Sequence, residues 1–235
     1  MSTETPVQLH WEGAVAHVVL DRPEKGNLVS HAMITRLAEI LGEASTADVL
    51  VIRANGSDFS LGRDQSERPQ GVAPEAGLKL ISAVNERLAG FTGVSVALVQ
   101  GRALGFGSGL AMQCDITVAG ENAVFGFDEI RHGFPPLIVE TYLTRYVPRK
   151  AALDLVLTGR SVAAAEARAL GMVSRVVPEG TLESEGQAIC AELVNSDSSA
   201  LRRAKEFLDE IDTVPPPERL AHGVGELVSW RSRGG

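Results

Sequence analysis

The chain has 235 residues, 44% of them hydrophobic, with a formal net charge of −8, enough apolar material to bury one sizeable core and too much for wholesale disorder. An acidic sequence with a pI near 5.2 offers no general basic field for nucleic acid or for an anionic membrane. Cys114 and Cys190 form neither a CxxC pair nor a metal spacing, the start MSTETPVQLHWEG lacks a basic region followed by an apolar one, and no stretch reaches the roughly 18 apolar residues of a membrane span. Together these features predict a cytoplasmic protein with two buried thiols and no metal.

Taken in order, Val7–Glu12 and Ala14–Leu20 alternate or run apolar around Glu12-Gly13, which predicts a hairpin or two successive strands. The segment DRPEKGN at 21–27 breaks the pattern. Ser30 is placed to cap a helix in which Ile34, Leu37, Ile40 and Leu41 recur at helical spacing. Asp48–Arg53 follows as a short, nearly all-apolar strand. Residues 55–77 are rich in Gly, Ser, Asp, Gln and Pro, and the part from Gln65 to Gly77 is expected to be mobile without ligand and to pack over a bound one. A helix at 78–88, a buried strand at 95–100 and a glycine cluster at 101–109 come next. Beyond them are expected a helical turn, strands at 115–119 and 123–127, and helices almost to the end. Strand–helix alternation followed by accumulating helices predicts an α/β core, residues 1–190, with a helical C-terminal region, residues 191–235.

Two loops stand out because each leaves the carboxyl end of a buried strand, where ligands of α/β folds usually sit. The first is Asp58-Phe59-Ser60-Leu61-Gly62-Arg63-Asp64; alone, it reads equally well as an ordinary loop. The second, Gly101–Gly109 (GRALGFGSG), opens a helix, where backbone N–H groups are unpaired and glycine lets a ligand approach. GFGSG also looks like a damaged dinucleotide fingerprint, but its third glycine is one position early and it lies far from a first βαβ unit.

These residues resemble a known family. FSLGRD at 59–64 is similar to the FSAGAD-type loop of the crotonase superfamily, and GRALGFGSGLAMQCD at 101–115 is similar to its GxALGGG…CD segment. AVFGFDEIRHG at 123–133 matches its FGxPE…G element. LVLTGR at 155–160, AAEARALG at 164–171 and VSRVV at 173–177 match the downstream helices and a closing strand, and the stretch from Asp21 to Leu28 resembles the RPEKxNAL turn. The resemblance covers about residues 7–210, in order. It implies a spiral of ββα turns, assembled as a homotrimer or a dimer of trimers, acting on an acyl-CoA thioester. No cofactor is implied, because coenzyme A enters as part of the substrate. It further implies that the backbone N–H groups of Arg63 and Phe106 form an oxyanion hole for a thioester enolate. Lys25, Ser60, Leu61, Gly62 and Gly105 would bind CoA or substrate.

The departures narrow the chemistry. Hydratases of this family use two glutamates; Glu129 fills the second position, but the first falls on Gly109. Dienoyl-CoA isomerases place an aspartate eight residues past the glutamate, where this chain has Leu137. One glutamate facing a glycine resembles the simple enoyl-CoA isomerases, so Glu129 is expected to act alone, walled by Phe125, Phe127, Ile130 and Phe134. A hydratase with an atypical second group and a non-catalytic acyl-CoA-binding relative are the alternatives. Asp128 and His132 are expected to face solvent or to support Glu129 indirectly. Glu140 is the remaining auxiliary carboxylate, with a solvated helix face as its other reading. Arg63 and Phe106 stand where smaller residues are common and are expected to narrow the acyl pocket. The C-terminal region is expected to be a shortened form of the family's closing element.

Overall fold

The computed structural model describes residues 6–67, 71 and 73–233. β1 (Val7–Glu12) and β2 (Val15–Leu20) form an antiparallel hairpin with Val7 opposite Leu20 and Glu12 opposite Val15. α1 (His31–Glu43) starts where the sequence predicts: the Ser30 hydroxyl accepts the Met33 N–H at 3.1 Å, and Ile34, Leu37, Ile40 and Leu41 are buried. β3 (Val49–Ala54) precedes the first glycine-bearing loop. α2 (Pro74–Ala89) begins four residues earlier than its apolar pattern indicates, with Pro74 in the first helical turn, where a missing N–H is harmless. The chain continues through β4 (Val94–Val99), β5 (Arg102–Leu104), α3 (Phe106–Met112), β6 (Ile116–Gly120) and β7 (Val124–Gly126). Next come α4 (Leu137–Tyr146), α5 (Arg149–Thr158), β8 (Ser161–Ala163), α6 (Ala164–Leu170) and β9 (Arg175–Val177). α7 (Leu182–Val194), α8 (Ser198–Ile211) and α9 (Arg219–Ser232) complete the chain.

Six strands form one sheet in the order β1-β2-β3-β4-β6-β9, parallel beyond the hairpin, and β5, β7 and β8 form a second. Each central turn of the chain adds a strand to the large sheet and then one to the small sheet: β4 leads into β5 and β6 into β7. This is the α/β spiral of ββα turns with a helical C-terminal region that the resemblance implies.

The all-apolar strands follow from burial on both faces. Successive side chains point to opposite sides, so Leu50 and Ile52 enter the main core with α1, while Val49 and Val51 join Val96, Leu98 and Val118 in a second cluster. α7 covers that second face through Ile189, so the boundary expected at residue 190 falls inside a helix that packs on β3, β4 and β6. Cys114 is buried and Cys190 half-buried, and burial pushes both thiols above the usual range. Among the described residues no helix is long and apolar enough to cross a membrane.

Candidate active site

The first loop is fixed from both sides. Its Ser60 N–H donates to Arg102 O at 3.1 Å and its Ser60 carbonyl accepts the Leu104 N–H at 2.9 Å, which joins it to β5. Two residues later the pairing changes sides: Gly62 O accepts the Val29 N–H at 2.8 Å and the Asp64 N–H donates to Val29 O at 3.0 Å. In such parallel pairing the residue between, Arg63, turns its own N–H and C=O away from Val29, toward the β5 side. Among the described residues neither the Arg63 nor the Phe106 N–H has an acceptor.

The two loops touch at these amides. A Cβ built on Gly62, whose φ is +92°, would lie 3.0 Å from Leu104 O and 3.7 Å from Phe106 N. Only glycine takes that backbone conformation at so close an approach without strain.

The carboxylate arrives through the small sheet. β5 and β7 run parallel with Leu104 beside Gly126, and the Gly105 N–H donates to Gly126 O at 2.9 Å. Three residues beyond Gly126, Glu129 opens a short 3-10 turn that ends at His132. A Cβ built on Gly105 (φ +49°) would stand 3.0 Å from Glu129 Oε1, so the carboxylate lies against the bare turn that leads into Phe106. Glu129 Oε2 is buried and has no hydrogen-bond partner among the described residues. Burial is the main force raising the Glu129 pKa, with a smaller push from Asp128 and opposition from its own backbone N–H and from His132.

Side chains from neighbouring turns hold this framework. Asp58 accepts from Arg102 N, Nε and Nη2 at 3.0, 2.8 and 2.8 Å, which ties the first loop to β5. That contact draws the Asp58 carboxyl well below the usual range. Asn27 is fully buried in a left-handed conformation (φ 51°), and its Nδ2 donates to Asn55 O and Asp58 O at 2.8 Å each. Arg22 donates to Asp64 Oδ2 at 2.8 Å. None of these three supports was singled out in the sequence, because each acts through partners about 30 to 45 positions away.

Several expected roles change. Ser60 is fully buried, and its hydroxyl donates to Asn27 O at 2.8 Å and accepts the Gly62 N–H at 3.2 Å, which shapes the loop. The Leu61 N–H is taken by Gly26 O at 3.0 Å, which leaves the Leu61 carbonyl for contact. Lys25 is exposed on the turn that supports Leu61. The Arg63 guanidinium folds back onto Val29 O and Ser30 O at 2.9 and 3.1 Å, and the Phe106 ring is part of the core. Phe125 and Phe127 are fully buried, whereas Ile130 and Phe134 are 37% and 54% exposed. Asp128 and His132 pair with each other at 3.3 Å on the surface, and Glu140 lies on the exposed face of α4. Residues 65–67 are tied down, since Ser66 donates to Asp64 and Glu67 accepts the His31 N–H at 2.7 Å. Residues 74–77 belong to α2, and 68–70 and 72, which the expected mobile cover also includes, lie outside the described residues.

Sequence reasoning missed Tyr142. A Cβ on Gly109 would meet the Tyr142 hydroxyl at only 2.3 Å, so the space at the absent glutamate is occupied by a phenol from α4. Burial and the nearby Glu129 both push the Tyr142 pKa upward, which keeps the hydroxyl protonated. Away from this cleft, Glu210, His222 and Glu226 bring ligand-type atoms within 4.8 Å of one another. Arg203 bonds both glutamates at 2.8 and 2.9 Å, so a cationic side chain already engages that cluster.

The sequence profile described as enoyl-CoA hydratase/isomerase matches residues 10–222. The chain belongs to the enoyl-CoA hydratase/isomerase family. A Thermus thermophilus relative, an enoyl-CoA hydratase by name, is 35% identical over 205 residues, covering 84% of this chain and 81% of its own. An enoyl-CoA hydratase structure from Mycobacterium smegmatis superposes with a TM-score of 0.86 at 27% identity, over 96% of this chain and 91% of that one. A Thermobifida fusca relative, also an enoyl-CoA hydratase by name and solved in complex with acetoacetyl-CoA, gives a TM-score of 0.85 at 28% identity, over 97% and 96%. As a member of the crotonase superfamily, this enoyl-CoA hydratase/isomerase family enzyme has acyl-CoA chemistry as its setting.

Proposed function

We propose that this enzyme isomerises the double bond of enoyl-CoA thioesters, with Glu129 moving the proton and the Arg63 and Phe106 N–H groups receiving the thioester oxygen. In a 3-enoyl thioester the proton on carbon 2 is acidified by the carbonyl. Its removal by Glu129 places negative charge on the thioester oxygen, where two preoriented amides are most effective. Return of the same proton to carbon 4 gives the 2-enoyl product with no atom gained or lost. A half-buried carboxylate with a raised pKa suits this work, since its basicity lies closer to neutral pH.

The observation that carries the reading is the pair of contacts at the start of α3: Glu129 Oε1 against its N-cap Gly105, and the Tyr142 phenol in place of a carboxylate against Gly109 one turn later. The acetoacetyl-CoA complex of the Thermobifida fusca relative supports a CoA thioester as the ligand. Lys25, the Leu61 carbonyl and the backbone of Gly62 and Gly105 would lie along it. Assembly as a trimer or dimer of trimers is part of the same proposal, supported by the exposed Leu220, Val224, Leu227 and Val228 of α9.

Water addition is the competing reading, because the relatives compared above carry hydratase names. It requires a second group on the Gly109 side, and a phenol stands there in place of a carboxylate. Incubation with 2-enoyl- and 3-enoyl-CoA esters, followed by mass spectrometry, separates the two. Isomerisation leaves the mass unchanged, hydration adds one water, and binding without turnover would overturn both.

A further inference from the structure

The Gly105 and Gly109 contacts lie at the N-cap and the first turn of α3. Gly105 is the N-cap of α3, and the Gly109 N–H donates to Gly105 O at 3.0 Å, so the two glycines bracket the first turn of the helix. One position is met by a Glu129 oxygen and the other by the Tyr142 hydroxyl. Glu129 Oε2 is buried without a hydrogen-bond partner among the described residues, and the Tyr142 side chain is half-buried. The two groups therefore reach the same first turn of α3, one an acceptor and the other a donor.

Resting on the reading of Glu129 as the acid–base group, we propose that Tyr142 is a positioning residue for Glu129. Its hydroxyl donates through one water to the carboxylate and takes the space that a side chain at position 109 would fill. Because the phenol remains protonated at working pH, it acts as a donor and does not compete for the proton that Glu129 moves. A donor stabilises the ionised carboxylate, holding down a basicity that burial raises. The titratable and charged groups around Glu129 are Asp128 and His132 on its own turn and Tyr142 on α4, with Tyr146 one turn beyond.

Tyr142→Phe is the test, read beside Glu129→Gln on the best 3-enoyl-CoA substrate. The ring carbon Cζ lies 3.5 Å from the Gly109 Cβ position, so phenylalanine keeps the packing and removes only the oxygen. The expected result is a turnover reduced about tenfold or more, as for one hydrogen bond to a charged group, with an ascending pH limb moved to higher pH. Affinity for the thioester and melting temperature should stay close to the parent's. Gly109→Ala leaves the phenol intact but drives its hydroxyl out of place, and should lower turnover in the same direction. Unchanged turnover in both variants, or an unmoved pH limb in Tyr142→Phe, with Glu129→Gln inactive, overturns the role of Tyr142. A fully active Glu129→Gln instead removes the reading of Glu129 on which it rests.

Discussion

Glu129 Oε1 lies 3.0 Å from where a Gly105 Cβ would stand, so the carboxylate is pressed against the same turn that frees the Phe106 N–H. The proposed acid–base group and one amide of the proposed oxyanion hole are thus joined through the pairing of β5 with β7, including the hydrogen bond from Gly105 to Gly126. Any substitution that opens this turn disturbs both.

Replacing Glu129 with Gln keeps the shape and removes the proton acceptor. Turnover of the best enoyl-CoA substrate should fall by about 100-fold or more, with thioester binding by calorimetry little changed, since the oxygen is held by main-chain groups. Glu140→Gln, on the exposed face of α4, should stay within about twofold of the parent, the range of an ordinary surface change.

The same carboxylate should link activity to stability in opposite senses. Its folded-state pKa is raised by burial, so the folded chain binds that proton more tightly than the unfolded one. Stability is then higher at low pH and declines as pH rises through the folded pKa, while activity, which needs the ionised form, rises over that interval. Glu129→Gln should therefore melt at the same or a higher temperature than the parent at neutral pH. A clear drop in melting temperature would contradict this account of the burial.

Gly62→Ala tests the contact between the loops. Its φ of +92° and the 3.0 Å approach to Leu104 O make any side chain strained, at a cost of about 1–2 kcal/mol. Because the backbone must shift, the Arg63 N–H moves with it. The turnover loss should approach the roughly 100- to 1,000-fold of a missing oxyanion donor, with binding of free CoA retained.

Asp58→Asn probes the clamp between the first loop and β5. The aspartate is nearly buried and accepts three bonds from Arg102, so losing its charge should cost about 1–3 kcal/mol in denaturant unfolding. The folded state holds this carboxyl below its ordinary range, so its contribution is complete above about pH 4 and fades as pH falls further. The variant should show a weaker stability loss than the parent in that acid range.

By itself the sequence determined the elements whose signals are local. The hairpin, the α1 cap at Ser30, the apolar strands and the two glycine loops are written in periodicity and turn chemistry that neighbouring residues impose on one another. The motif order from Asp21 to Val177 carried the family and the identity of Glu129. The tertiary structure decided what each site residue touches. Ser60 reads as a ligand contact until its hydroxyl is found bonded to Asn27, 33 positions away. Gly109 reads as an empty place until α4 packs across α3 and sets the Tyr142 hydroxyl where a side chain at 109 would stand. Contacts of that kind depend on how distant segments pack, and no local pattern in the sequence encodes a distance between residues 109 and 142.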